Sequence, residues 1–327
     1  MRHYTFRLLA VILAAALLVL PGISGAAEVV LYSSNPSELI DLVSQGFEAK
    51  TGIKVSVVRL GTGEAMKRIA AEKDKPLCDV FWSGDVSVLE NAKENFQSYR
   101  SPEAAGLPAG YVEKEGRWTA SNAHVMVVMV NKALVKDTEA PKTWKELFDP
   151  KWKGKVVMAN PEKSGSAYAQ AYGIYKLYGW DGIRKLIGNA KILDSSSLIY
   201  KGVAAGEYPL GVTMEYAAYR YIDGGDKNVG ILYPADGAFM APEALGIVKN
   251  CPHPAEARQF VDYLISKKVE DEIFAKFSRR PARPDAAEVE GLPALNKVPL
   301  LKSFDPMEAN TLEKEILKQW KEIVLSR

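Results

Sequence analysis

Val29-Val30-Leu31-Tyr32-Ser33-Ser34-Asn35 sets four strand-type residues in front of a small polar turn, and the chain then repeats that device. Val29 to Tyr32 reads as a buried strand. Ile40, Val43 and Phe47 follow at i, i+3 and i+7 on a helix whose stop is Gly52. Ile53 to Val58 is the next strand, Ala65 to Glu72 the next helix and Asp79 to Trp82 a third strand. A βαβαβ series with short turns predicts an α/β fold with mostly parallel central sheets. In such sheets ligands bind outside the carboxyl ends of the strands. The turns there are Ser33-Ser34-Asn35, Gly61-Thr62-Gly63-Glu64 and Ser83-Gly84-Asp85, which make a binding wall or else ordinary solvated turns.

Downstream, His124 to Val130 is a strong strand and Trp144 to Phe148 a short helix behind the cap residue Thr143. A second series then runs as strand 155–158, helix 166–177, strand 192–193, helix 196–205, strand 209–213 and helix 216–222. Val229 to Tyr233 comes next, followed by an irregular stretch from Pro234 to Pro242, a strand at Leu245 to Val248 and a helix at Ala255 to Ser266. Leu312, Ile316, Trp320 and Ile323 put one apolar stripe on the last helix, which should pack against a domain.

The amino terminus carries Arg2 and Arg7, an apolar run from Leu8 to Leu20, a Pro21-Gly22 break and Ser24-Gly25-Ala26. This is the pattern of an export signal cleaved after Ala26. The apolar run has 13 residues, whereas crossing a bilayer core takes about 20. No cysteine near the cut invites a lipid anchor, so the mature chain is expected free in the periplasm. Of 42 basic residues against 40 acidic ones, Arg2 and Arg7 leave with the signal and the mature chain is balanced. That argues against nucleic acid or an anionic membrane surface as the main partner. Roughly 300 mature residues suggest two domains. Cys78 and Cys251 are the only thiols; export permits a disulfide, and two reduced cysteines are the alternative.

Asn160-Pro161-Glu162-Lys163-Ser164-Gly165-Ser166-Ala167 joins a strand to a long helix. The first N–H groups of a helix lack intrahelical acceptors and carry the positive dipole end, so an anion fits at Ser164, Gly165, Ser166 and Ala167 without a basic side chain. The plain alternative is N-capping by Ser164 or Ser166, and the two roles are compatible. Glu215 and Tyr216, at another strand-to-helix turn, can receive hydroxyl or ammonium groups or serve as a cap beside a core tyrosine. Asp194-Ser195-Ser196-Ser197 reads as a capped turn. Catalytic patterns are thin: the chain has no GxSxG, Walker loop, HExxH or GxGxxG after the first strand. His124 reads as a core histidine and His253, between two prolines, as solvated. No cofactor is expected. An exported hydrolase would need a nucleophile with a base, or a metal cluster, and neither is visible.

With these turns placed, the chain resembles the periplasmic solute-binding proteins of ABC importers, in the branch of ferric-ion-binding proteins and their relatives for small phosphorylated organic compounds. The likeness rests on 29–34, on Cys78-Asp79-Val80-Phe81-Trp82-Ser83, on Trp144 to Lys155 with its Phe148-Asp149-Pro150 and Trp152-Lys153-Gly154, and on Ser278-Arg279-Arg280-Pro281-Ala282-Arg283. It implies the type II fold: two α/β lobes, one from 27–123 and 234–327 and the other from 124–233, joined by crossing strands at His124 to Val130 and Val229 to Tyr233, with 1–26 as signal peptide. It also implies a ligand trapped in the interlobe cleft by closure, a monomer, and delivery to a permease and ATPase in the inner membrane. The iron pattern of a His, a Glu and a Tyr-Tyr pair is met here by Pro36, Gly84 and Tyr216-Ala217, leaving one hard oxygen ligand. A small anionic organic ligand is therefore expected, a sugar phosphate first and a phosphonate with an amine second, with ferric iron as the alternative. It would touch Ser33, Ser34, Thr62, Gly63, Ser83 and Gly84 on one lobe and Ser164, Gly165, Ser166, Ala167, Glu215 and Tyr216 on the other. Trp82 either covers an apolar ligand face or sits in the sheet core, and Arg279-Arg280 either reaches the anion or is a solvated surface pair.

Overall fold

The computed structural model describes residues 27–108, 110–285 and 288–326, so the expected signal peptide lies outside the described residues. The opening series forms as read: β1 (Glu28–Ser33), α1 (Ser37–Thr51), β2 (Lys54–Arg59), α2 (Thr62–Ala71), β3 (Val80–Asp85) and α3 (Val86–Asn91). On α1 the residues Leu39, Ile40, Val43 and Phe47 are buried, and Gly52 ends the helix in the left-handed region at φ 74°. Both β2 and β3 run parallel to β1.

From there β4 (Thr119–Asn131) leads to β5 (Val156–Ala159), α4 (Gly165–Asn189), β6 (Ala190–Leu193), α5 (Ser196–Ala204), β7 (Leu210–Met214), α6 (Glu215–Asp223) and β8 (Val229–Leu232). The chain returns through β9 (Phe239–Ile247) to α7 (Pro254–Leu264), α8 (Lys267–Phe277), β10 (Arg280–Pro281) and α9 (Pro306–Leu325). The sheet order is β2-β1-β3-β9-β4-β7-β5-β6, with β8 and β10 also on β4. Pairing is parallel at both ends, as the alternating pattern requires. In the middle it is antiparallel, because β4 and β9 carry the chain in opposite directions between the ends.

Two apolar cores flank that middle. One gathers Leu31, Val43, Phe81, Trp82, Ile247 and Phe260; the other gathers Val128, Trp144, Val157, Tyr172, Val212 and Phe239. Along β9, Phe239 and Ala241 lie in one core and Ala244, Leu245 and Ile247 in the other, so this strand passes between them. Pro242 pairs with Ala123 inside β9; a proline there argues against a strand on sequence grounds, which is why this stretch reads as irregular. The apolar stripe of α9 sets Ile316 and Trp320 into the second core, while Asn91 of α3 donates to Asn310 O at 3.4 Å and to Glu313. The last helix therefore touches structure on both sides.

Cys78 and Cys251 are buried free thiols, and burial pushes the Cys251 thiol up to about 12. His253 is not a free loop residue. The fully buried Asp79 accepts from Val30 N at 2.7 Å and from His253 N and Nδ1 at 2.7 and 2.9 Å. The hydrogen bond to Asp79 raises His253 above its ordinary 6.5. A base whose folded-state pKa is raised stabilises below its unfolded value, and that contribution fades as pH climbs through the folded value. His253→Ala should thus lower the urea midpoint more at pH 5.5 than at pH 8.5; a loss that grows with pH would contradict the pair.

Candidate ligand-binding cleft

A cleft of about 730 Å³ opens at the carboxyl ends of β1 to β3 on one side and β5 to β7 on the other. The first wall is a set of hydroxyls. Ser33 Oγ donates to Trp82 O at 2.6 Å, while Ser34 Oγ meets Thr62 Oγ1 at 3.0 Å and the Ser83 hydroxyl. Gly84 holds φ 95°, and a Cβ there would come within 2.9 Å of Thr62 Cγ2. Only glycine suits that turn. Asp85 caps α3 by accepting from Ser87 N at 2.9 Å, and burial lifts its carboxyl to about 6.

The second wall begins where α4 starts. Ser164 caps that helix, accepting from Ala167 N at 3.4 Å. Its Oγ also lies 2.6 Å from Ser196 Oγ and 3.1 Å from Ser166 Oγ, and Ser166 is 3.0 Å from Ser196. Ser196 is the first residue of α5, which Ser195 caps through Ser197 N at 3.1 Å. Two helix starts therefore bring their positive ends and hydroxyls to one place. The walls meet there: a Cβ on Gly165 would lie 3.5 Å from Asp85 N and 3.7 Å from Gly84 Cα.

Of the expected residues, Ser33, Ser34, Thr62, Ser83, Gly84, Ser164, Gly165, Ser166 and Tyr216 line this cleft. Gly63, Ala167 and Glu215 do not. Gly63 backs onto Glu162 O, 3.4 Å from where its Cβ would stand. Ala167 is fully buried in the second core, about 100° round the helix from its neighbour Ser166. Glu215 is 2% exposed and accepts from Arg280 Nε at 2.6 Å, Arg280 Nη2 at 2.9 Å and Tyr233 Oη at 2.6 Å. It closes a structural ion pair in which three donors already occupy most of the carboxylate's roughly four lone-pair sites. Trp82 is likewise core, donating Nε1 to Ser121 Oγ at 3.3 Å.

The cleft floor holds Arg279, for which the sequence left both an anion contact and a surface pair open, and His124, read there as core. Arg279 is 2% exposed rather than on the surface. Its Nη1 donates to Asn35 Oδ1 at 2.7 Å and Glu243 Oε2 at 3.2 Å, and its Nη2 to Tyr216 Oη at 2.9 Å. The guanidinium carbon stands 4.2 Å from the Tyr216 ring centre. His124, read as core, lines the cleft beside them. Burial, aided by the Arg279 charge, holds it well below 6.5, so a neutral imidazole stands 3.2 Å from Glu243 Oε2 with its Nε2 placed to accept from Arg279 Nη1 at 3.4 Å. Burial also raises Tyr216 to about 12, keeping its phenol protonated. Nothing local marks Arg279: its partners Asn35, Tyr216 and Glu243 are remote in sequence, and only the fold assembles them. Among the described residues no three His, Cys, Asp or Glu side chains converge as a metal site.

Comparison with known proteins agrees with this geometry. The profile of the bacterial extracellular solute-binding proteins matches residues 75–305. Iron uptake protein A1 of Synechocystis is 28% identical over 262 residues, 73% of this chain and 71% of that protein. A putative 2-aminoethylphosphonate-binding periplasmic protein of Salmonella typhimurium is 24% identical over 258 residues, covering 73% and 72%. Among solved structures, the periplasmic binding protein AfuA of Actinobacillus pleuropneumoniae, with fructose-6-phosphate bound, superposes with TM-score 0.85 at 23% identity over 91% of this chain and 98% of that one. These folds are type II periplasmic binding proteins. The chain thus belongs to the bacterial extracellular solute-binding proteins, the periplasmic components that serve ABC importers.

Proposed function

We propose that this protein captures a small anionic organic molecule, a sugar phosphate first and a phosphonate second, and passes it as a monomer to a permease and ATPase. The observation that carries this reading is the joint start of α4 and α5, where Ser164, Ser166 and Ser196 hydroxyls and helix N–H groups face the hydroxyls of Ser34, Thr62 and Ser83. Such a cradle supplies many donors at close range, which suits the several oxygens of a phosphoryl group. The lobes proposed are 27–123 with 234–327 and 124–233, with the Phe239 end of β9 and α9 seated on the core of the second. Closure of the lobes brings the two hydroxyl sets together. Ferric iron, suggested by the Synechocystis relative, keeps Tyr216 as a ligand. The Arg279 guanidinium 2.9 Å from that phenol opposes a second cation there.

Titration calorimetry with fructose 6-phosphate and with ferric citrate separates the readings. Heat of binding is expected with the first, and no coloured complex with the second. A visible tyrosinate-to-iron band that disappears in Tyr216→Phe would overturn the organic-anion reading.

A further inference from the structure

The cleft has a second recognition end, and its chemistry deepens the proposed function on which it rests. At the floor the two buried glutamates are already engaged, while on the first wall Asp85 Oδ2 is buried with no hydrogen-bond partner among the described residues. Glu243 is 2% exposed and accepts from Asn35 Nδ2 at 3.1 Å and from Arg279 at 3.2 Å. Asn35 Oδ1 accepts from Arg279, and Glu215 is closed by Arg280 and Tyr233. Donors, by contrast, are left over. A guanidinium has five N–H groups, and Arg279 Nε and the second N–H of Nη2 have no acceptor among the described residues. Tyr216 Oη accepts from Arg279, and its own proton likewise has no acceptor among them. Arg220, one turn along α6 from Tyr216, lines the same cleft and has no carboxylate partner within 4 Å among the described residues. Glu38 and Glu64 also line the cleft and, like Arg220, are exposed to solvent.

We propose that Arg279, Tyr216 and Arg220 form a donor set that reads a carboxylate at the end of the ligand remote from its phosphoryl group, so that the cargo is a phosphorylated hydroxy or sugar acid rather than an amine-bearing phosphonate. Arg279 is already neutralised by Glu243, so Arg220 supplies the charge and Tyr216 the directed hydrogen bond. An ammonium group would meet the same donors at a floor whose two glutamates are already engaged.

The test uses the whole mature protein and calorimetric titration with 3-phosphoglycerate, glycerol 3-phosphate and 2-aminoethylphosphonate. The first two share a phosphoryl end and differ in carboxylate against hydroxymethyl. The expected result is at least about tenfold tighter binding of 3-phosphoglycerate than of either other probe, the scale of one charge-assisted contact. Tyr216→Phe keeps the ring under Arg279, and Arg220→Gln changes an exposed side chain, so both variants should fold. Each should cut the preference severalfold, lowering 3-phosphoglycerate affinity more than glycerol 3-phosphate affinity. Tighter binding of 2-aminoethylphosphonate, or a preference that survives in both variants, overturns the inference. Should glycerol 3-phosphate bind and respond to Gly165→Asp without any carboxylate preference, the inference fails and the anion cradle stands. Should none of the three bind while fructose 6-phosphate does, the inference fails and the proposed function stands; should fructose 6-phosphate fail as well, both fall.

Discussion

Gly165→Asp is expected to weaken fructose 6-phosphate binding by about a hundredfold or more, which is on the order of 2.7 kcal/mol. Residue 165 is the first of α4, and its missing Cβ faces Asp85 N, Gly84 Cα and Thr62 Cγ2 at 3.5, 3.7 and 3.8 Å. These are ordinary contact distances, so Gly165→Ala should fit and bind nearly as well as the parent. An aspartate extends beyond them. It places a second carboxylate beside Asp85 and a negative charge where the ligand's own would go, and it wedges the two walls apart. Little water remains there to screen the repulsion. Calorimetry on the two variants separates charge from bulk. Parental affinity in Gly165→Asp would move the anion away from α4 altogether.

Glu215→Gln should cost stability, about 3 kcal/mol, and not ligand affinity. The Arg280 guanidinium keeps Pro293 O at 2.7 Å but loses its counter-charge in a site where both partners are nearly inaccessible. Removing one member of a buried pair strands the other and typically costs about 3–5 kcal/mol; the retained amide oxygen still receives some of the hydrogen bonds, which favours the low end. Replacing both charges, as in Glu215→Leu with Arg280→Met, should recover much of the loss. Urea unfolding reads the stability and calorimetry the affinity. An unchanged unfolding midpoint together with lost binding would return Glu215 to the cleft.

These two residues show which parts of the site are legible in a sequence. The Ser164-Gly165-Ser166 turn is local: a cap, a close approach and a helix start all lie within three residues, so its place beside the cleft follows from the strand before it and the helix after it. Ala167 sits one position further, and the helical turn is enough to send it into the core. Glu215 resembles a ligand contact from its strand-to-helix setting, yet its partner Arg280 is 65 positions away. Arg279 and Arg280 read alike as a basic pair, and only the folded chain sends one to Tyr216 and the other to Glu215. The parallel ends of the sheet show in the alternation of strands and helices. The β9 passage does not, because Pro242 hides a strand that β4 nevertheless pairs along its length.

The two ends of the cleft are made from different material. At the starts of α4 and α5 the contacts come from main chain and from short hydroxyl side chains whose places are set by capping. At the floor they come from long side chains on β4, β9, α6 and the segment after α8, each steadied by a distant partner. On the proposed reading, in which the serine turns hold a phosphoryl group, a lineage that exchanges residues at 216, 220 or 279 can acquire a new cargo while keeping that end unchanged. The reverse exchange is harder, since altering the serine turns uncaps two helices at once. Divergence within this family would then run along the floor, with the cradle passed on as common property.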